Sequence, residues 1–395
     1  MNFFIYKALT CLSIVFCLTG CKKYLDQKPN QSLAVPATFK DLQSLLDNVT
    51  ELRSSCGSAV VSDDDYYLPY SEWQSRNGFI KRMYIWTEDS LFPAGTNNDW
   101  ASTYSKIYTA NVVLDFADKI ERKPGDEVEW ANAKGCALFL RAYFFAQLTS
   151  VFTKAYDPLT ASSDMGIVLR LNSNFNEHSV RSTLQETYDR IISDLKEAVQ
   201  LLPVIPKHSV RPSKLGAYAL LARIYLSMRQ YDAAMEYANK CLQLYSELID
   251  YNSLNISAEA PIKSFNSEVI FGVSIAPQPL SSPRIRVDSV LYNSYHDDDL
   301  RKSIFFKATG VNQFTFKGSY DGDNFSGTWF CGLATDEVYL TRAECLARKE
   351  RIADAMNDLN TLMRKRWRNS VSYPVITAAT ANEAVDKILA ERRKE

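Results

Sequence analysis

Histidine is nearly absent from this 395-residue chain; His178, His208 and His296 are all it has. They lie in separate polar contexts, so no His-rich metal set or Ser–His–Asp grouping is suggested. Gly-x-Ser-x-Gly, His-Glu-x-x-His, the Walker A loop and Gly-x-Gly-x-x-Gly are all missing. That removes the usual signatures of esterases, zinc proteases and nucleotide-binding folds. Eight cysteines are present, but none forms a Cys-x-x-Cys pair. Their wide spacing fits neither a disulfide framework nor a zinc ligand set. A charge excess is missing too: 45 basic residues face 46 acidic ones, for a net charge of −1. Nothing in that balance suggests nucleic acid as a partner. Many carboxylate pairs of the kind glycoside hydrolysis uses are possible among 46 acids, but no spacing singles one out.

The N-terminus carries the strongest signal that is present. Lys7 precedes the apolar run Ala8–Leu18, which ends in Leu18-Thr19-Gly20-Cys21. The run is too short for a comfortable bilayer span and has the order of a secretory signal. Small residues directly before a cysteine resemble the bacterial lipobox. In that motif the peptide is cut before the cysteine, and the cysteine is then acylated. The expected signal peptide is therefore 1–20, with a lipidated Cys21 opening the mature chain. The alternative is an ordinary signal peptide with a chance cysteine. Two or more acyl chains would hold the protein stably to a membrane, outside the bacterial inner membrane and away from ATP. Most of Cys56, Cys136, Cys241, Cys331 and Cys345 read as small apolar residues in helices.

Helical periodicity dominates the rest. Residues 21–37 read as a spacer with Pro29 and Pro36. A first helix starts near Thr38, with Phe39, Leu42, Leu45 and Leu46 on one face. Residues 54–99 read as irregular. A helix over about 100–120 sets Tyr104, Ile107, Tyr108 and Val112 in phase, and 130–152 is strongly periodic. Residues 153–182 read as an inserted loop. Ser182/Gln185 and Thr183/Glu186 both fit a capping box ahead of the next helix, which Pro203 and Pro206 stop.

Two helical hairpins follow, at 213–229 with 231–246 and at 334–348 with 352–367. Ala222 and Ala234 are spaced as Ala343 and Ala355 are, and small residues there let antiparallel helices approach closely. This spacing resembles the tetratricopeptide repeat, whose faces must be buried by stacked neighbours. Residues 249–333 differ in kind, with dense proline and short β-like runs such as Val269–Val273 and Gln313–Phe316. They read as a loop-rich lobe inserted into a mainly α fold. The expected divisions are thus 38–248 for helical repeats with the loop 54–99, 249–333 for the lobe, and 334–395 for a C-terminal hairpin and a last helix.

Several segments together resemble the SusD/RagB family of outer-membrane nutrient-binding lipoproteins. Cys21-Lys-Lys-Tyr-Leu-Asp-Gln-Lys-Pro29 is similar to the family's opening, and Arg141–Leu148 to its "RAYYYF.L" helix. Tyr188–Pro203 is similar to its "Y..I..DL..A..LLP", and Ala219–Leu226 to its "ALLARVYL". Glu337–Ala347, Leu359–Arg366 and Ile388–Glu395 follow in the family's order. The family usually continues beyond this last segment with an aromatic stretch containing Gly and Arg. The sequence stops at Glu395, so the resemblance predicts apolar surface left open on neighbouring helices. It also implies a SusD-like fold of tetratricopeptide-like hairpins. The implied role is a surface lipoprotein that caps a SusC-like TonB-dependent transporter and captures glycans or peptides, without nucleic acid, cofactor or metal.

Binding of this kind needs aromatic platforms beside polar groups, because sugar rings present apolar C–H faces and hydroxyl edges. Aromatics outside the helical stripes are the candidates. Tyr66, Tyr67, Trp73 and Trp86 lie in the first loop region, with Asp65 and Arg76 nearby. Tyr292, Tyr295, Tyr320 and Trp329 lie in the lobe, with Asn324 nearby. Trp100, Trp130 and Trp367 read as packing residues. Asp63–Asp65 reads as a solvated acidic loop, and Asp321–Gly327 as a plain turn, since Phe325 and Ser326 stand where a calcium loop needs a ligand and a glycine. The alternatives are a scaffold binding only a protein partner and a secreted glycan hydrolase.

Overall fold

Helix α1 (Phe39–Leu46) starts where a reciprocal cap can form. The Thr38 hydroxyl accepts from the Asp41 N–H, and the Asp41 carboxylate accepts from the Thr38 N–H. Phe39, Leu42 and Leu46 are buried, whereas Leu45 stays partly exposed. The computed structural model describes residues 35–88, 91–92, 98–275, 285–322 and 328–395. The proposed signal peptide, Cys21 and Asn324 lie outside the described residues.

The stretch read as irregular holds three short helices beyond α2 (Val49–Leu52): α3 (Ser58–Val61), α4 (Tyr70–Gln74) and α5 (Gly78–Tyr84). Strand β1 (Tyr66–Tyr67) lies among them. Polar side chains cap two of them, with Asn77 accepting from the Ile80 N–H and Asp99 from the Ser58 N–H. Elements of four to seven residues are too short to show a hydrophobic period.

The helical frame then follows. Helix α6 (Asp99–Ala117) buries Ile107, Ala110, Val113, Leu114 and Ala117, but not Tyr108. Helix α7 (Glu127–Phe152) is the one described helix long and apolar enough to cross a membrane. It is instead the core helix, packed by α1, by α6 and by α8 (Leu184–Leu201), so nearly every face is apolar. The segment read as a loop before α8 contains an antiparallel pair, β2 (Met165–Val168) with β3 (Arg181–Thr183). Of the two possible capping boxes, Thr183 with Glu186 is the one formed.

The two hairpins are α9 (Lys214–Ser227) with α10 (Tyr231–Leu244), and α13 (Thr335–Arg348) with α14 (Ile352–Arg366). Ala222, Ala234, Ala343 and Ala355 are all buried. Their turns match bond for bond. Arg229 and Glu350 adopt left-handed φ values of 59° and 60°. In the first turn the Gln230 N–H donates to the Tyr225 carbonyl and the Arg229 N–H to that of Leu226. In the second the Arg351 N–H donates to the Leu346 carbonyl and the Glu350 N–H to that of Ala347. Both are Schellman caps with a non-glycine residue at the left-handed position. Helix α13 packs on α10, on α14 and on the last helix, α15 (Ala381–Lys394), so the frame is a continuous stack.

The lobe contains β4 (Val269–Phe271), β5 (Ser274–Ile275), β6 (Arg286–Val287), α11 (Ser289–Asn293), α12 (Arg301–Phe305), β7 (Phe306–Gly310), β8 (Gln313–Phe316), β9 (Trp329–Phe330) and β10 (Leu333–Ala334). The strands form antiparallel pairs, β1 with β6, β4 with β10, β5 with β9 and β7 with β8. A second core around Tyr251, Ile262, Ile304, Phe305 and Phe306 fills the lobe. Residues 38–395 make one compact unit.

Glycine at a left-handed cap avoids a steric cost of about 1–2 kcal/mol, partly offset by its greater unfolded-state freedom. Arg229→Gly and Glu350→Gly, both at exposed positions, are therefore each expected to stabilise the fold by up to about 1 kcal/mol. Urea denaturation checks this, and destabilisation by both would contradict the turn geometry.

Candidate functional site

The first loop region and the lobe meet edge to edge. Tyr66 pairs with Val287 and Tyr67 with Arg286, and the Asp288 N–H donates to the Asp65 carbonyl. Pairing of Ile275 with Trp329, and the Ser55 N–H bond to Ser274, add a second seam. A small core forms there from Val61, Tyr66, Leu68, Ile80, Met83 and Ile285, with Trp73, Phe79, Tyr84 and Trp329 packed against it.

Period-two alternation along β1 separates its two tyrosines. Tyr66 points inward and its hydroxyl donates to the Val61 carbonyl at 2.8 Å. Tyr67 points outward and is 41% exposed. On α4, Trp73 stacks against Tyr70 with ring centroids 5.8 Å apart, and its indole N–H donates to the Lys81 carbonyl. Tyr70, which no helical stripe or loop signal had marked, is 70% exposed. Its signal was the pair Tyr70/Trp73, placed three apart on one face of a short helix.

Trp86 carries the clearest local argument. It follows α5 with φ 55°, and two bonds, Trp86 N–H to Met83 and Thr87 N–H to Arg82, close a Schellman cap. Glycine is preferred at this position, and a bulky residue there is strained. The indole is nonetheless 71% exposed and fills no core. The turn thus holds a large apolar ring in solvent at a cost in backbone strain.

Other sequence-selected residues are committed elsewhere. Tyr295 is buried against Phe306, and its hydroxyl donates to the Lys394 carbonyl. Tyr320 is buried beside Glu268 and Asp336. Burial pushes the Tyr66, Tyr295 and Tyr320 phenols well above their ordinary range. Arg76 folds back on Glu72, and Asp65 accepts from Arg393. The Asp63, Asp64 and Asp65 carboxylates come within 4.8 Å of one another at the surface. Tyr292 is half-buried and stacked on Phe314, while Trp329 is half-buried against Phe316. In this region the exposed rings are thus Tyr67, Tyr70 and Trp86, with Trp73 half-buried beneath Tyr70.

Among the described residues, the cysteines and histidines are buried or packed singly rather than grouped. Burial pushes the Cys56 thiol up to about 11, and those of Cys136, Cys241, Cys331 and Cys345 up to about 12. None of these five is in a disulfide. His208 packs on Phe265 and His296 on Trp367, while His178 lies in the segment between β2 and β3.

Comparison with known proteins now decides the family. Residues 23–226 match the SusD-like family model described as "Starch-binding associating with outer membrane". The chain belongs to the SusD-like family. A tetratricopeptide-repeat model also matches SusD-like residues 215–247, which hold the α9–α10 hairpin. A SusD-like protein of Formosa agariphila is 23% identical over 297 residues, covering 69% of this chain. The chain spans about half the length of that curated relative, 52%. Among solved structures, a SusD-like carbohydrate binding protein from Bacteroides vulgatus superposes with a TM-score of 0.67 at 20% identity. The match covers 91% of this chain and 81% of that one. A SusD superfamily protein from Bacteroides thetaiotaomicron gives 0.70 at 19% identity, covering 91% and 86%. At these identities the structural likeness is one of fold.

One buried carboxyl beside the lobe has a pH signature. Tyr320 has a single hydroxyl proton and faces both Glu268 and Asp336, so one of those contacts needs a proton from elsewhere. Burial, and then the charges of Glu268 and Glu395, hold Asp336 up at about 8. A raised carboxyl stabilises the fold fully below its ordinary value and loses that contribution as pH rises through about 8. Urea midpoints should therefore fall as pH rises from about 4 to about 8 and level off above that, and Asp336→Asn should flatten that fall. Parallel curves for the two proteins would rule out a protonated Asp336.

Proposed function

We propose that this SusD-like chain is a non-catalytic lipoprotein of the outer membrane that binds glycan and passes it to a SusC-like TonB-dependent transporter. Family membership supports the glycan class and the membrane association. The Leu18–Cys21 motif supports acylation of Cys21 as the anchor. The observation that carries the binding role is Trp86, held in a left-handed turn with its ring in solvent. With Tyr67, Tyr70 and Trp73 it supplies apolar faces of the size a pyranose ring covers. The transporter assignment rests on the resemblance to SusD/RagB proteins.

A glycan array, followed by calorimetry with protein beginning at Lys22, identifies the glycan. Trp86→Gly is the decisive variant. It should raise stability by relaxing the turn and weaken glycan binding about 2- to 12-fold, the scale of one stacking contact. Unchanged affinity would remove Trp86 from the site. The recovered oligosaccharide should be intact, and cleavage products would overturn the non-catalytic reading. In cells, Cys21→Ser should abolish palmitate labelling and release the protein from the membrane fraction; retention of label would place the lipid elsewhere.

A further inference from the structure

A second aromatic cleft, lined by none of Tyr67, Tyr70, Trp73 and Trp86, opens on the side of α6 that the core leaves open. It encloses about 370 Å³. Trp100, Tyr104 and Tyr108 line one wall, Phe175 the other, with Asn174 and Ser179 at the edge. Trp100 and Tyr104 have centroids 5.0 Å apart, and Tyr108 and Phe175 6.4 Å. Tyr108 is 43% exposed and Phe175 76%. The helical period put both α6 tyrosines with the core; the structure turns Tyr108 outward instead.

The loop bearing Phe175 is braced far beyond what an exposed connection needs. Tyr104 exchanges hydrogen bonds with both backbone groups of Val168, at 2.8 and 2.9 Å. Asn111, fully buried, donates to the carbonyls of Arg170 and Asn172. Arg141 donates to the carbonyl of Leu171 and to Asn111 Oδ1, while its other nitrogens hold the buried Asp194 at 2.7 and 2.8 Å. Asp115 accepts from the N–H and hydroxyl of Ser173. Buried side chains of the helical frame thus fix the loop on the approach to Phe175. A rigid wall facing a fixed aromatic row is a preorganised receptor, with little ordering entropy left to lose on binding.

The lining sets the occupant. The volume is at the low end for small-molecule sites, about 300–1,000 Å³, and too small for a partner helix about 10–12 Å across. Arg170 at the rim already donates to Ser179 Oγ at 2.7 Å and lies 3.7 Å from Glu177, and Arg181 over the Trp100 ring is taken up by the Gly166 and Phe152 carbonyls, so neither cation is left open to an ionic ligand. Among the described residues, the Asn174 side-chain amide and the Ser179 hydroxyl proton donate to nothing within the chain, while the Asn174 backbone N–H is held by Asn172 Oδ1. Aromatic faces beside neutral donors suit a ring with apolar C–H faces and hydroxyl edges. We infer that this cleft between α6 and the 168–179 loop is a second binding site, taking one or two pyranose units of a neutral saccharide. The inference rests on the glycan-binding reading but concerns a separate surface.

Fluorotryptophan-labelled protein beginning at Lys22 tests it. Fluorine NMR would follow all six tryptophans, with Trp100 assigned by Trp100→Phe. The probes are methyl α-glucopyranoside, methyl β-galactopyranoside, maltose and cellobiose. The Trp100 signal should shift with at least one probe. That shift should survive Trp73→Ala/Trp86→Gly and weaken at least about fivefold in Phe175→Ala and Tyr108→Ala. Phe175 lies on an exposed loop, and thermal unfolding of its variant should match the parent. Shifts at Trp73 or Trp86 with Trp100 silent would overturn the second site and leave the glycan-binding reading standing. Silence of all six across these probes and the array would overturn both. A Trp100 shift unaffected by Phe175→Ala and Tyr108→Ala would place binding outside the cleft.

Discussion

On the carboxylate of Glu268 the lobe and the ends of both hairpins converge. It is fully buried and meets the fully buried Arg366 of α14 through two bonds, at 2.9 and 3.0 Å. It also accepts from the Ile249 N–H just past α10 and from the Tyr320 hydroxyl. Its backbone carbonyl accepts from the Thr335 N–H at the start of α13. Two ions removed from water cost several kcal/mol, recovered only where every remaining lone pair is met. Here those conditions can be met in one arrangement, with the end of one hairpin, the start of the next and the lobe's Tyr320 all in place. The ion pair is thus a registration device as much as a source of stability. Breaking it would strand the buried Arg366 and Tyr320, while the lobe stayed joined to α15 through Arg301 with Glu391 and through the Tyr295 bond to the Lys394 carbonyl.

The same division of labour recurs at smaller scale. Buried cations in or beside the helices tie backbone carbonyls of neighbouring segments. Lys106 of α6 donates to the Ser54 carbonyl at 2.7 Å, and Arg53 reaches the carbonyls of Leu46 and Val210. Arg141 does this for the 168–173 segment. Surface loops are thereby given fixed shapes without secondary structure of their own. Fixed loops on a rigid frame can carry binding chemistry without loosening the fold.

How much of this was legible depended on element length. The α9–α10 and α13–α14 hairpins were readable because fourteen or fifteen residues give several turns of hydrophobic repeat, with alanines at the contact points. The helices α3, α4 and α5 were not, since one or two turns show no period. Around the candidate site, aromatic type marked the right segments but could not orient the rings. Tyr66 and Tyr67 are adjacent and identical, and their opposite fates are set by pairing with β6, a contact far away in sequence. Tyr320 and Tyr295 were drawn inward by partners equally remote, Glu268 and the Lys394 carbonyl. Tyr108 fitted the core phase of α6 by spacing, yet that helix presents its buried stripe slightly to one side, through Ala110, Val113 and Leu114.

The two-residue pairing of β1 with β6 has an evolutionary consequence. Along a strand, a shift of one residue exchanges the inward and outward sets. With only Tyr66 and Tyr67 in the pair, a single insertion or deletion beside them would trade one ring for the other at the surface. The helical stack, stabilised by its own caps and core, would not need to adjust. Such a seam lets recognition drift by length changes in the chain while the scaffold stays under separate selection.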